Sequence, residues 1–186
     1  MAEHDSDLEA LDAVRRDRGL LERLAARIPG YGGLMERDLR REVDQRQREH
    51  LARRVHDAKS LLRGAARDAT DAGDLAALRP LDRAERRLDR LGESMRFADY
   101  GASGLFGVQK IREAELEALY RFDLDLLDEV DALHAATEQV STAGDARVAL
   151  ARVEQLAEAL TTRWAGRRAV IDTIVRTSTD RTSTES

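Results

Sequence analysis

Hydrophobic residues recur at intervals of three and four along five stretches of the chain. This spacing predicts amphipathic helices, because side chains three or four residues apart lie on the same helical face. Stretches containing glycine or proline separate them, at residues 29–33, near Gly73, at 97–107 and near Gly144. The pattern predicts an all-α fold, an elongated up-down bundle of four to five long helices with short connectors.

Capping residues refine the expected ends of these helices. The first begins after Ser6, and the second covers about 34–70. Asp74 is placed to cap the third, and Asp145 to cap the fifth, because aspartate accepts hydrogen bonds from the free N–H groups of a first turn. Pro80 offers an alternative start for the third helix near Arg79, since proline is favoured in the first turn.

The fourth helix, expected at about 108–140, has the most regular pattern. Leucine or valine recurs every seven residues along one side of this helix, and further apolar residues lie between these positions. Glu129 interrupts this second set, where the neighbouring Val130 is expected to take its place in the seam. Arg167 interrupts the corresponding seam of the fifth helix. A repeat of seven residues is typical of a coiled-coil-like seam. Its principal positions are Leu119, Leu126, Leu133 and Val140, with Phe122 and Ala136 between them.

The connector at 97–107 is rich in aromatic residues and glycine, which interrupts helices. In an up-down path this connector and the one at 29–33 emerge at the same end of the bundle. Two alternatives stay open for the resulting aromatic cap: it seals the core, or part of it is exposed as a partner-binding site. The residues of this predicted cap are Tyr31, Phe97, Tyr100 and Phe106.

Composition bounds the size and nature of the core. A chain of 186 residues with 4% aromatic and 36% charged residues favours narrow helix-on-helix seams over a thick core. One helical-bundle domain is expected at 1–176. Residues 177–186 contain no apolar side chain, so we expect a disordered tail there, rich in serine and threonine.

A formal net charge of −5 argues against a purely electrostatic nucleic-acid binder. The arginine-rich helix at 34–70 is nevertheless the best candidate for binding nucleic acid or phosphate. Acidic residues are interleaved within it, as Glu42 is with Arg46 at a spacing that forms intrahelical ion pairs. We therefore expect its arginines to lie along the acidic fourth helix or an acidic partner.

The chemistry-bearing residues form no recognisable catalytic arrangement. Ser103 lacks the strand and the full glycine spacing of a nucleophile elbow. Asp131 and His134 offer a single carboxylate–histidine pair, which is too few ligands for a metal site, and no cysteine is present. No catalytic residue, cofactor site or metal site is predicted.

The function predicted from these features is non-catalytic: a cytoplasmic helical interaction or assembly protein that binds a protein partner or itself. The N-terminal residues do not resemble a signal peptide, and no apolar run is long enough to span a bilayer, so no membrane insertion is expected. The alternative is a nucleic-acid or phosphate-binding module that uses the helix at 34–70. An enzyme or metal protein centred on His134 is the weakest hypothesis.

Overall fold

The structure is a computed structural model that describes residues 19–20, 22–28, 40–98, 113–141 and 145–184. Within these residues the regular structure is entirely helical, which confirms the predicted all-α bundle. The helices are α1 (22–27), α2 (Arg40–Asp71), α3 (Leu75–Arg96), α4 (Glu113–Glu138) and α5 (Ala146–Thr184).

The chain divides into two compact units, each assembled from several segments. The boundaries fall inside α2, α4 and α5, and the single domain expected at 1–176 stays a prediction. Unit 1 contains Met1–Arg46, Asp99–Asp125 and Gly166–Ser186, and unit 2 contains Gln47–Ala98 and Leu126–Ala165.

A tight turn at Gly73 connects α2 to α3. Gly73 has φ 75°, a left-handed conformation that glycine adopts without steric cost. Its N–H donates to the carbonyl of Thr70 at 3.0 Å, and the N–H of Asp74 donates to the carbonyl of Ala69 at 2.8 Å. These two bonds form a Schellman motif, which satisfies carbonyls left free at the end of α2.

Asp74 caps α3, as the sequence predicts. Its side chain accepts a hydrogen bond from the N–H of Ala77 at 3.2 Å, and the helix begins at Leu75. The alternative start near Arg79 is therefore wrong, and Pro80 lies inside the helix. The cap stabilises the first turn, so the helix tolerates the single backbone donor that proline removes.

Ion pairs show how α2 and α3 run relative to each other. Lys59 binds Asp89, and Arg63 binds Glu85 with 2.5 Å between Nε and Oε1. As the residue number rises on α2 it falls on α3, so the two helices are antiparallel.

Ion pairs also connect the other neighbouring helices of unit 2. Along α3 and α5 the paired residues rise in number together, so these two helices are parallel. The pairs place the four helices in the cyclic order α2, α3, α5, α4. They are Arg83–Glu154 and Arg87–Glu158 between α3 and α5, Arg54–Asp131 between α2 and α4, and Arg163–Glu129 between α4 and α5.

The predicted seams form the core of unit 2. Leu126 and Leu133 are fully buried, and Val130 is buried beside the interruption at Glu129, as expected. Leu75, at the first position of α3, lies outside this core and is 70% exposed. Other buried seam residues of this unit are Leu51, Val55, Leu62, Leu88, Leu91, Met95, Val153 and Leu160.

Unit 1 contains an apolar cluster formed by α4 and α5. Leu119, Ile171 and Ile174 are each 5% exposed, and two partly buried valines of α5 pack against them. This cluster confirms that Leu119 is buried, as its seam position on the fourth helix predicts.

Arg167, which interrupts the seam of α5, is buried in unit 1 between two carboxylates. Its Nε and Nη2 donate to the two carboxylate oxygens of Asp123 at 2.8 and 3.1 Å, and its Nη1 donates to Asp44 at 2.8 Å. We call these three residues the Arg167 cluster. Burial disfavours the charge on Arg167, but Asp123 and then Asp44 outweigh it, so the pKa of the guanidinium is raised above its ordinary value.

The end of α5 differs from the prediction of a disordered tail at 177–186. The helix continues through Thr184, so residues 177–184 are helical. Extending an existing helix adds one backbone hydrogen bond per residue without a new nucleation cost. Threonine hydroxyls also find local partners, since Thr177 Oγ1 donates to the carbonyl of Thr173 at 2.7 Å.

Candidate interaction surfaces

Among the four aromatic residues of the predicted cap, the structure describes Phe97. Its side chain is 66% exposed at the end of α3, so this ring does not seal a core. Tyr31, Tyr100 and Phe106 lie outside the described residues. Whether the four rings meet at one end therefore stays a prediction.

The backbone around Phe97 is held by a buried arginine of α2. Phe97 is the C-cap of α3, and its N–H donates to the carbonyl of Glu93 at 2.9 Å. Arg48, which is 5% exposed, donates from Nη1 to the carbonyls of Arg96 at 3.3 Å and Ala98 at 3.4 Å. A cation at this end of α3 also complements the partial negative charge of the helix C-terminus.

Arg96 adds a second cationic contact. Its guanidinium carbon lies 5.4 Å from the centroid of the Phe97 ring, within the range of a cation–π interaction. Phenylalanine and arginine are both enriched at protein–protein interfaces. We call Arg48, Arg96, Phe97 and Ala98 the Phe97 corner.

A polar groove of about 450 Å³ lies between α2 and α3 and includes Arg96 in its lining. The two helices approach closely here, because a Cβ added at Gly92 would lie 3.6 Å from Val55 Cγ1. Lys59 in this groove donates a hydrogen bond to Asp89, which lowers the pKa of that carboxyl. The other charged or titratable lining residues are Glu49, Arg53, His56, Asp57 and Glu93.

His56 and several carboxylates of this polar groove are of the residue types that bind metal ions. The structure's described ranges contain no group of three or more histidine, cysteine, aspartate or glutamate side chains placed to hold a metal ion. The two residues of the carboxylate–histidine pair considered from the sequence contact different partners. Asp131 accepts a hydrogen bond from Arg54 at 2.8 Å, whereas His134 Nδ1 lies 3.4 Å from a carboxylate oxygen of Glu138.

Three arginines of α2 make contacts within unit 2. Arg54 binds Asp131, which matches the expected contact with the acidic fourth helix, whereas Arg63 binds Glu85 of α3. Arg48 donates to backbone carbonyls of the Phe97 corner. These contacts weaken the alternative in which α2 presents a continuous basic stripe to nucleic acid.

A second groove, of about 600 Å³, lies between the N-terminal halves of α3 and α5. We call it the α3–α5 groove. Its lining is mainly apolar and its side chains are mostly small, which leaves space between the two helices. The apolar residues are Ala76, Ala77, Pro80, Leu81, Val140, Ala146, Leu150 and Ala151, and the charged ones are Asp74, Arg83, Asp145, Arg147 and Glu154.

Arginines follow this groove along α3. A smaller cavity of about 280 Å³ shares Arg83 and Glu154 with the groove and is otherwise lined by arginine. Sequence reasoning directed attention to the arginines of α2 and missed this surface. The sequence feature that indicates this surface is a set of four arginines in α3 separated by four, three and four residues, a spacing that places their side chains on one helical face. We call Arg79, Arg83, Arg86 and Arg90 the α3 arginine row.

No family model, curated protein or solved structure matches the chain. None of the helices described is long and apolar enough to cross a membrane.

Proposed function

We propose that the protein is a non-catalytic helical interaction protein that binds a protein partner through the Phe97 corner. The observation that carries this proposal is the 66% exposed ring of Phe97 on a backbone held by the buried Arg48. Burying a phenylalanine side chain in an interface is worth about 1.5–3 kcal/mol. The exposed ring is therefore a suitable anchor for a partner.

The fixed backbone increases the value of this anchor. Binding is weakened when loops and side chains must be ordered as the complex forms, so a preorganised contact retains more of its interaction energy. Hydrogen bonds from Arg48 to carbonyls on both sides of Phe97 supply this preorganisation. The neighbouring polar groove offers both acidic and basic groups for a rim around the aromatic contact.

The partner class favoured here is protein, either a different chain or a second copy of this one. Nucleic acid is disfavoured because the α2 arginines named above already contact carboxylates or carbonyls. We place the protein in the cytoplasm as part of the same proposal, since a chain without cysteine suits a reducing compartment.

Site-specific photo-crosslinking tests the proposal. A photoreactive phenylalanine analogue at position 97 should capture a defined protein, or a second copy, in cells that naturally make this chain. The same analogue at Leu61, which is 36% exposed on α2, is the matched control. Equal capture at both positions would contradict a specific site at Phe97.

A substitution then measures the contribution of the ring. With the captured partner purified, Phe97→Ala should weaken binding about 30-fold, the effect of losing an anchor worth about 2 kcal/mol. The melting temperature should change little because the side chain is mainly exposed. Loss of stability with unchanged affinity would instead make Phe97 a structural residue.

A further inference from the structure

We propose that the α3–α5 groove and the α3 arginine row together form a docking site for an acidic amphipathic helix of a partner protein. This surface is separate from the Phe97 corner and does not depend on the function proposed there. Three features of this surface favour such an occupant: the apolar lining of the groove, the charge beside it, and the distribution of charge along its length.

The apolar part has the form that helix-in-groove recognition requires, in which the apolar face of a helix lies between two others. Ala76, Ala146 and Ala151 are exposed, so no large side chain among the described residues occupies the opening. Pro80 and Leu81 provide further apolar surface below it. The groove and the arginine row together extend along α3 from Ala76 to Arg90. At the rise per residue of an α-helix this distance is about 21 Å, which matches about four turns of a docked helix.

The charged part favours an acidic occupant. In the part of the chain that the structure describes, Arg79 and Arg90 have no ion-pair partner. Arg86 binds Asp82 of its own helix, and Arg83 Nε lies 3.7 Å from a carboxylate oxygen of Glu154. Exposed ion pairs of this kind contribute little, so carboxylates of a partner can compete for these arginines.

The polarity along the groove predicts the direction of charge in the occupant. At one end lie Asp74 and Asp145, whose carboxylates accept hydrogen bonds from the first turns of α3 and α5. The arginine row begins beside this end and extends away from it. Arg147 of the lining and the two helix N-termini offset these aspartates, so the occupant should carry its acidic residues along the arginine row toward Arg90.

The lining also distinguishes this occupant from nucleic acid. The described lining of the groove has an apolar floor and contains no aromatic side chain on which a base could stack. A phosphate backbone carries charge at every nucleotide and would meet Asp74 and Asp145 at one end of the groove, whereas a helix can place its glutamates beside the arginine row alone. An amphipathic helix instead uses both the apolar floor and the arginine row.

Synthetic peptides test the proposal by fluorescence anisotropy. The probe is a labelled amphipathic helix of about 18 residues, with leucine and alanine on one face and glutamate beside it. The comparison peptide carries lysine in place of every glutamate. The acidic peptide should bind the full chain about tenfold or more tightly than the basic one, and its affinity should fall as salt is added.

Paired variants separate the contributions of charge and shape. Combined Arg83→Glu, Arg86→Glu and Arg90→Glu should weaken binding about tenfold or more, whereas Arg67→Glu on the exposed face of α2 should not. Ala151→Arg should obstruct the groove, whereas Ala135→Arg, at an exposed position of α4, should leave affinity unchanged. Circular dichroism of each variant establishes that the helices have formed.

Three outcomes would overturn the proposal. Equal affinity for the two peptides would remove the role of the arginine row, and equal effects of Ala151→Arg and Ala135→Arg would remove the role of the groove. A single-stranded oligonucleotide that displaces the acidic peptide, and that binds the Ala151→Arg variant as tightly as the wild-type chain, would indicate a phosphate-binding surface. Phe97→Ala should leave peptide binding unchanged, so this test stands apart from that of the Phe97 corner.

Discussion

The two units of the protein differ in where their paired charged side chains lie. In unit 1 the Arg167 cluster holds one guanidinium and two carboxylates in the interior, with Arg167 and Asp123 less than 10% exposed. In unit 2 the seam leucines are apolar, ion pairs such as Arg54–Asp131 lie at the surface, and the buried Arg48 donates to backbone carbonyls instead of a carboxylate. Side chains of the same chemistry therefore have very different consequences in the two units.

This difference follows from the cost of removing charge from water. A buried ion pair must recover a large desolvation penalty, so it adds little net stability but becomes strongly destabilising when one partner is removed. An exposed pair remains hydrated and can be lost at small cost. We therefore interpret the Arg167 cluster as a determinant of how α2, α4 and α5 pack against one another within unit 1, rather than as a net source of stability. Substitutions can test this hypothesis.

The largest effect is expected from breaking the Arg167 cluster. Arg167→Met leaves two buried carboxylates without their cation and should lower the free energy of unfolding by about 3–5 kcal/mol. Urea denaturation followed by circular dichroism measures the change. Combining Arg167→Met with Asp44→Leu and Asp123→Leu should restore most of the stability, because no buried charge remains. A triple variant as unstable as the single one would contradict the charge argument.

The apolar seam of unit 2 provides the comparison. Leu126→Ala or Leu133→Ala removes fully buried aliphatic volume and should cost about 2–5 kcal/mol of unfolding free energy. Leu75→Ala is the matched control, since that leucine is 70% exposed and its truncation should change stability by less than about 0.5 kcal/mol. Similar losses for Leu75→Ala and Leu126→Ala would show that burial does not govern the effect.

A double-mutant cycle on Arg54 and Asp131 measures the exposed side of the comparison. Arg54→Ala, Asp131→Ala and the double variant should give a coupling free energy of about 0.2–1 kcal/mol, because the two side chains are 31% and 48% exposed. The coupling should decline as salt is added. A value comparable with that of the Arg167 cluster would mean that burial is not the deciding factor.

The smallest effect should appear in the pH dependence of the Lys59–Asp89 pair. The hydrogen bond from Lys59 lowers the pKa of Asp89 below its ordinary value of 3.8. A carboxyl with a lowered folded pKa stabilises the fold above its unfolded pKa, and this contribution is lost as pH falls through the folded value. The Asp89 carboxylate is half exposed, so solvent reduces the effect.

Urea denaturation at neutral pH and below pH 3.8 should resolve this contribution against Asp89→Asn. The wild-type chain should lose slightly more stability than the variant on acidification. If both lose the same amount, the pair does not contribute to the pH dependence.

Much of the architecture could be predicted because helical patterns are local. The three- and four-residue spacing located the helices, the caps at Asp74 and Asp145 located two helix starts, and Gly73 located one end. Pro80 was harder to interpret, because its position in the chain alone does not say whether a cap upstream sustains the first turn. The extension of α5 to Thr184 was missed because low apolar content says little about whether an existing helix continues.

The candidate surfaces were less accessible to sequence reasoning. Phe97 was singled out by the aromatic connector, but its anchoring by Arg48 joins residues 48 positions apart. The α3–α5 groove likewise depends on which two helices become neighbours. Periodicity indicates which face of a helix is apolar, but it does not say which other face will lie opposite.

Local pattern along the chain was enough to predict the helices of the described residues, where most of them end, and the burial of seam residues such as Leu126 and Leu133, because backbone hydrogen bonding and amphipathic spacing act over a few residues. The packing of distant segments, by contrast, decides that Arg167 is paired with Asp44 and Asp123, that Phe97 is exposed, and that alanines of α3 and α5 leave a groove between them. These features depend on contacts between distant segments, whose free energies are set by burial and geometry rather than by local pattern.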